Sequence, residues 1–393
     1  MLGELALPES LQWSNVIVIQ PWFSGHGHPA QSTLNLSRVI PANRVRHFLI
    51  SAPEKGTECQ GIASALAQHV PVRTFRGCGA KLRTNTVLAL RKLLADGRNN
   101  AGKRTALLFA DGDLFVVCAA VSMRLLNRFP FVAVVLLWGP ELVAKHAIKR
   151  LLVRSGLKSG RLRLFLRTPE LVDAWRSSFP EFANMFRLYP PVESVLPIGG
   201  LVSASTAGAR SHRGATKATQ LKIGVVGQIR AGKCIPQLIR TAERSSGSIR
   251  VGVYGPLFKQ QPVAFLREVE SNHLVHPGFL SEADMLRIAG QQDYLASLLE
   301  RDSWDLRMES ATFWLGIKVC TPVLCFDEGW LGRMVRETGA GIALPADSKG
   351  DEWLEGIPGT SSIEYRRCLE SIRRLRVRLT REALWEDLER NLH

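Results

Sequence analysis

Two doubly wound, Rossmann-like α/β domains facing a cleft are what this sequence predicts, on three observations. The chain has 393 residues, of which 46% are hydrophobic, enough for two separate cores and too many for one typical domain. Short runs rich in β-branched residues alternate with helical stretches through both halves, the pattern of parallel sheets covered on both faces. Between the halves, Val202–Gln220 (VSASTAGARSHRGATKATQ) is small, polar and basic after its first residue, and reads as a linker. The expected division is 1–200 for the first domain, 201–220 for the linker and 221–370 for the second domain. A final helix over 371–393 is expected to pack back toward the first domain.

The elements follow in order. Asn15–Gln20 (NVIVIQ) is a strand, followed by a Gly-rich turn and a helix over Pro29–Val39. Strands are expected at Arg46–Ser51, Val70–Phe75, Thr105–Ala110, Phe131–Leu137 and Leu162–Leu166. After the linker come Leu221–Val226, Ile249–Tyr254, Leu274–His276, Asp293–Leu299 and Val323–Phe326. Charge-patterned helical sequence fills Ser361–Leu392. In doubly wound sheets, ligands bind at the carboxyl ends of the strands, so the loops after strands are where chemistry is expected.

Composition narrows the function classes. The seven cysteines are scattered, with no CxxC pair and no neighbouring His cluster. This argues against a zinc site and against a secreted disulfide framework, and points to reduced, buried thiols. No secretory leader is expected from Met1–Ser10, which lacks a basic stretch followed by an apolar core. The longest apolar runs, Leu114–Val121 and Phe131–Trp138, are far shorter than the roughly 20 residues a spanning helix needs. Charge is uneven. Residues 1–200 hold 25 Lys/Arg against 12 Asp/Glu, a net of +13, out of +16 for the whole chain. One half is therefore expected to meet an anionic surface.

Gly227-Gln228-Ile229-Arg230-Ala231-Gly232-Lys233 follows the first strand of the second half. It resembles the G-x-[IL]-R-x-x-K-G loop of GT-B glycosyltransferases, with Cys234 in place of the usual Gly. The resemblance implies that Arg230 and Lys233 hold the diphosphate of a nucleotide sugar. A guanidinium fork and an ammonium suit a diphosphate whose charge grows as the glycosidic bond breaks. Val275–Asp284, containing Pro277, Gly278 and Phe279, is similar to the family segment that contacts the nucleobase. Arg307-Met308-Glu309-Ser310-Ala311-Thr312, leading to Thr321-Pro322-Val323-Leu324, resembles its loop–helix–strand unit. A Ser310-Ala311-Thr312 helix start offers N–H groups to phosphate. Asp327–Trp330 and Glu337–Gly341 continue the match in order. Gly255, after the second strand of this half, is counted with the donor loops. Many retaining members carry two Glu eight positions apart; here Arg307 and Leu315 stand there, which favours an inverting reaction. Glu309 is left to contact the ribose, or simply to sit near a helix start.

The first half resembles the family less closely. Phe23–Gln31 contains Gly25, His26, Gly27 and His28, and Gly-rich first loops with a His occur here in GT-B enzymes. Asp111-Gly112-Asp113 follows a strand of the same sheet. Asp113, His28 or His26 is the expected catalytic base, with Gly25, Gly27 and Asp111 on the acceptor side. For Asp113 the plainer alternative is a helix N-cap.

From Lys145 to Arg163 there are seven cations, with no acid between Glu141 and Glu170. Ile148, Leu151 and Leu152 form one helix face. Arg150 and Arg154 lie across from it and Lys145 and Lys149 flank it. This is either a core-packed helix with a solvated basic side or a docking face for anionic lipid. No nucleic-acid motif or aromatic platform accompanies it.

The resemblance further implies a bacterial surface-polysaccharide or glycolipid type of hexosyltransferase, similar to group 1 and family 4-like enzymes. It would use a nucleotide sugar and a lipid-linked saccharide acceptor, with no protein-bound metal or other cofactor. It would work in the cytoplasm, at the inner face of the cell membrane. The rivals are a GT-B nucleotide-sugar epimerase and a non-catalytic basic binder of membrane or nucleic acid.

Overall fold

In the computed structural model, residues 15–23, 28–53, 58–78, 81–96, 105–195, 220–257, 265, 274–276, 278, 280–301, 304–346 and 357–392 are described. Strands β1 (Asn15–Gln20), β2 (Val45–Ser51), β3 (Val72–Phe75), β4 (Thr105–Phe109), β5 (Val132–Leu136), β6 (Leu162–Leu166) and β7 (Phe186–Leu188) form a parallel sheet in the order β3-β2-β1-β4-β5-β6-β7. Every residue of β4 and β5 is buried, as a sheet covered on both faces requires. The covers are α1 (His28–Val39), α2 (Glu58–His69), α3 (Leu82–Ala95), α4 (Leu114–Ser122), α5 (Glu141–Ala144), α6 (Ala147–Lys158) and α7 (Pro169–Ser178). Trp175, Phe179 and Phe186 stack at the heart of the core between α7 and the sheet. The third strand starts two residues later than expected, because the Val70 N–H donates to the Leu66 carbonyl and closes α2.

The second sheet runs β10-β9-β8-β11-β12-β13, again parallel. Its strands are β8 (Leu221–Val226), β9 (Ile249–Tyr254), β10 (Leu274–His276), β11 (Tyr294–Ala296), β12 (Val323–Phe326) and β13 (Gly341–Leu344). With it come α8 (Ile235–Arg244), α9 (Glu282–Gly290), α10 (Ala311–Val319), α11 (Gly329–Thr338) and α12 (Ile363–Arg378). β11 is shorter than the expected 293–299. Asp293 instead accepts from the Lys222 N–H through its carboxylate, and Ser297 donates its N–H to the Leu324 carbonyl beyond the strand end.

The chain divides into Met1–Val195 with Arg381–His393, and Leu196–Thr380. Helix α12 therefore passes through position 371 and stays with the second unit. A break at Leu379–Thr380 precedes α13 (Arg381–Leu392), which packs on α1 in the first unit. Arg44 pairs with Glu389 at 3.2 Å, and Asn391 donates to the Leu188 carbonyl.

All seven cysteines are free, and all but Cys78 are buried. Burial pushes the Cys234 thiol up to about 11 and the Cys325 thiol up to about 12, so both are held as inert thiols. No described helix is long and apolar enough to cross a membrane.

Candidate functional site

In both sheets the winding direction reverses beside the first strand: between β1 and β4, and between β8 and β11. These are the switch points where a crevice opens at the carboxyl edge. In the second unit the loop after β8 fills that place. It is stitched to both neighbours. Gly227 N–H donates to the Tyr254 carbonyl and Ile229 N–H to the Pro256 carbonyl on one side. On the other, Glu300 N–H donates to the Gly232 carbonyl and Cys234 N–H to the Leu298 carbonyl. Gly255 has φ +139°, and a Cβ there would lie 2.0 Å from the Gly227 carbonyl oxygen. Only glycine lets these two loops touch backbone to backbone.

Arg230 and Lys233 are half-buried on this loop. Lys233 Nζ donates to the Gln228 carbonyl at 2.8 Å. Burial, with Arg230 beside it, pushes the Lys233 ammonium down to about 8, and burial also lowers Arg230. Two cations are thus held close together with incomplete solvation, an arrangement that an anion would relieve.

The start of α10 lies in the same unit. The Ser310 hydroxyl accepts from the Phe313 N–H at 3.3 Å and caps the helix. Ala311 and Thr312 supply the first N–H groups, which no helix satisfies internally. Glu309 Oε1 accepts from the Trp314 indole at 2.6 Å, in a cluster of Phe313, Trp314 and Trp330. Its carboxylate is thereby aimed at the helix's own first turn. Arg307 is exposed at the end of a short 3-10 turn, Trp304–Arg307. Gly278 is half-buried; Pro277 and Phe279 lie outside the described residues.

In the first unit the switch point is closed by a side chain that sequence reasoning did not single out. Gln20, fully buried at the end of β1, donates from Nε2 to Asp111 Oδ2 at 2.9 Å across to the end of β4. The same amide reaches Thr33 Oγ1 and the Pro29 carbonyl of α1, while its Oε1 accepts from the Trp22 N–H. Helix α1 follows from this. It is buried on all sides from Ser32 to Val39, and Ser32, Thr33, Asn35, Ser37 and Arg38 are buried along with Leu34, Leu36 and Val39. Arg167 donates to Glu193 at 3.2 Å and to the Ser32 hydroxyl at 3.0 Å, and Asn35 donates to the other Glu193 oxygen at 2.8 Å. The polar run QSTLNLSR was the available signal, since a helix buried on all sides is usually apolar all round.

Asp113 caps α4: Oδ1 accepts from the Val116 N–H at 3.0 Å and Oδ2 pairs with Arg83 Nε at 3.2 Å. Both oxygens are engaged. His28 begins α1, which places its backbone at the same sheet edge. Gly25, His26 and Gly27 lie outside the described residues.

No protein-family model and no curated protein matches this sequence. Solved structures do. HepE of Anabaena, solved with UDP and glucose, superposes with a TM-score of 0.63 over 96% of this chain and 99% of its own, at 11% identity. The chain has the GT-B fold. WaaG, a glycosyltransferase involved in lipopolysaccharide biosynthesis, is similar at TM-score 0.60 and 11% identity, over 95% of this chain and 98% of its own. A UDP-N-acetylglucosamine 2-epimerase is similar at 0.54 and 12%, over 93% and 94%. At these identities the likeness is one of fold.

Within this GT-B chain the basic helix α6 is turned differently from the expectation. Its buried side is Val153, Gly156 and Leu157, while Ile148 is 83% and Leu151 70% exposed. The cause is Gly156: a Cβ there would meet Cys118 Sγ at 3.0 Å, so the bare helix side is the one that fits against α4. The cations are also partly engaged. Lys149 lies over the Phe115 ring at 5.3 Å, Arg150 over Phe179 at 5.9 Å, and Arg154 pairs with Glu181 at 2.9 Å. Lys145 and Arg150 are exposed.

Proposed function

We propose that this chain is a glycosyltransferase that moves a sugar from a nucleotide-diphosphate sugar to the hydroxyl of a lipid-linked saccharide. The observation that carries the reading is the loop after β8, where Arg230 and Lys233 sit half-buried at a topological switch point. The fold shared with HepE and WaaG supports it. Arg230 and Lys233 take the diphosphate, and the N–H groups of Ala311 and Thr312 add to it. The departing diphosphate is neutralised by these groups, with no protein-bound metal. The ribose falls to Glu309 only if it leaves the Trp314 indole. Asp113 or His28 removes the acceptor proton. With no carboxylate at positions 307 and 315, transfer proceeds with inversion.

Replacing Arg230 or Lys233 by Ala is expected to weaken nucleotide-diphosphate binding by about 1.5–3 kcal/mol each. Calorimetry that finds both variants binding like the wild type would remove the donor assignment. A second reading is supported by the epimerase with the same fold. Turnover of the nucleotide sugar without any acceptor would favour that reading; acceptor-dependent release of the nucleotide favours transfer.

A further inference from the structure

Nine large hydrophobic side chains among the described residues are exposed, and three of them, Leu142, Ile148 and Leu151, fall within ten residues of sequence on α5 and α6. Single exposed apolar residues need no explanation, but a cluster does. Ile148 and Leu151 are one helical turn apart and therefore neighbours. They lie on the side of α6 opposite Val153, Gly156 and Leu157, the side buried against α4. Among the described residues, no packing inside the unit buries them.

Their surroundings select the occupant. Lys145, three residues before Ile148, and Lys158, two turns after Leu151, are exposed, and between Glu141 and Glu170 the sequence has no acid. A second copy of the same face would bring like charges together, which is unfavourable. The exposed side chains are aliphatic and offer no ring for bases to stack on, which disfavours nucleic acid. Aliphatic residues flanked by cations match the interfacial layer of an anionic bilayer, where the apolar groups sink about 5–10 Å and the cations meet lipid phosphates.

The position in the sheet gives the contact its meaning. Helix α5 follows β5 at the carboxyl edge, and Lys149, one residue after Ile148, lies on Phe115 in the first turn of α4. That turn is capped by Asp113, next to Asp111 and Gln20. The apolar cluster and the acceptor-side edge thus share one end of this unit.

We propose that Leu142, Ile148 and Leu151 insert into an anionic bilayer and bring the carboxyl edge of the first sheet to the lipid surface. The proposal rests on the reading of a lipid-linked acceptor and adds the surface that reaches it.

The test uses the full chain with vesicles of phosphatidylcholine, with and without phosphatidylglycerol. I148S/L151S is expected to lower partitioning onto the anionic vesicles about tenfold or more. Both sites are exposed, so the variant should keep the wild-type melting temperature. K145E/K158E should also lose binding, and neutral vesicles should retain less of the wild type. In a C78S background, an environment-sensitive dye on L151C should brighten and shift blue on anionic vesicles. Unchanged partitioning of I148S/L151S, or a dye that stays in water, would overturn the insertion and leave a purely electrostatic contact. A lipid-free dimer that I148S/L151S dissociates would also overturn it and assign the face to self-association. Donor binding, followed separately by calorimetry, should persist in every variant. Its absence in the wild type would remove the transferase reading, while the vesicle measurements would still decide whether this surface inserts.

Discussion

The Lys233 ammonium should make donor binding depend on pH in the alkaline range. Burial and Arg230 hold it down at about 8, against about 10.4 for an ordinary lysine. In the free chain it is about nine-tenths protonated at pH 7 and about one-tenth at pH 9. A bound diphosphate favours the cation and pulls the value back up. Binding above pH 8 must therefore take up a proton, and affinity should fall up to about tenfold, or 1.4 kcal/mol, per pH unit there. The stability of the ligand-free chain should run the other way. The folded value lies below the unfolded one, so between about pH 8 and the ordinary lysine range the unfolded chain binds more protons. Stability from this group rises with pH across that window. Titration calorimetry from pH 7 to 9, in buffers of different ionisation enthalpy, measures both affinity and proton uptake. Lys233→Arg should bind with a flat profile, since a guanidinium does not titrate here. A flat wild-type profile, or the same slope in Lys233→Arg, would refute the argument that the cation is strained by burial until the diphosphate arrives.

Other substitutions test the frame around the site. Glu193→Ala deprives the buried Arg167 guanidinium of its carboxylate and should cost about 3–5 kcal/mol in urea unfolding; a loss under about 1 kcal/mol would mean the network does not hold α1. Gly255→Ala forces a Cβ against the Gly227 carbonyl and should lower both melting temperature and donor affinity, whereas wild-type binding would show that the two loops need not touch. Asp113→Asn keeps a good helix cap, so it isolates chemistry from folding. If Asp113 is the base, turnover should drop about a hundredfold or more with donor binding intact, and normal turnover in both Asp113→Asn and His28→Ala would dismiss the pair. NMR of the product's anomeric proton should show the opposite configuration to the donor, and retention would overturn the inverting assignment.

Part of the second unit around the loop after β8 was legible because it is local. The strand before the GQIRAGK loop and the capped helix start at Ser310 are set by neighbours a few residues away, while the loop itself is held by Tyr254, Pro256, Leu298 and Glu300 from the loops beside it. The engagement of Glu309 with Trp314 was not legible, although the spacing of five residues is short, because it depends on how α10 packs its aromatic side chains against Trp330. Asp113 was open to two roles in sequence; the structure supplies the cap and adds Arg83, a partner thirty residues away.

Periodicity and turn chemistry, which are properties of short stretches of chain, determined the alternating strands and helices, and the sequence carries the basic stretch from Lys145 to Arg163; the expected linker, Gln220 apart, lies outside the described residues. Tertiary structure alone decided what those elements show to one another. The Gln20 amide meets Asp111 across 91 residues because β1 and β4 are neighbours in the sheet. The α1 helix buries polar side chains because Arg167 and Glu193 arrive from β6 and beyond to satisfy them. Helix α6 carries apolar residues on two sides, and its own pattern cannot say which faces inward. Cys118 of α4 decides it, since only the side bearing Gly156 lets the two helices close, and Ile148 and Leu151 are left in solvent.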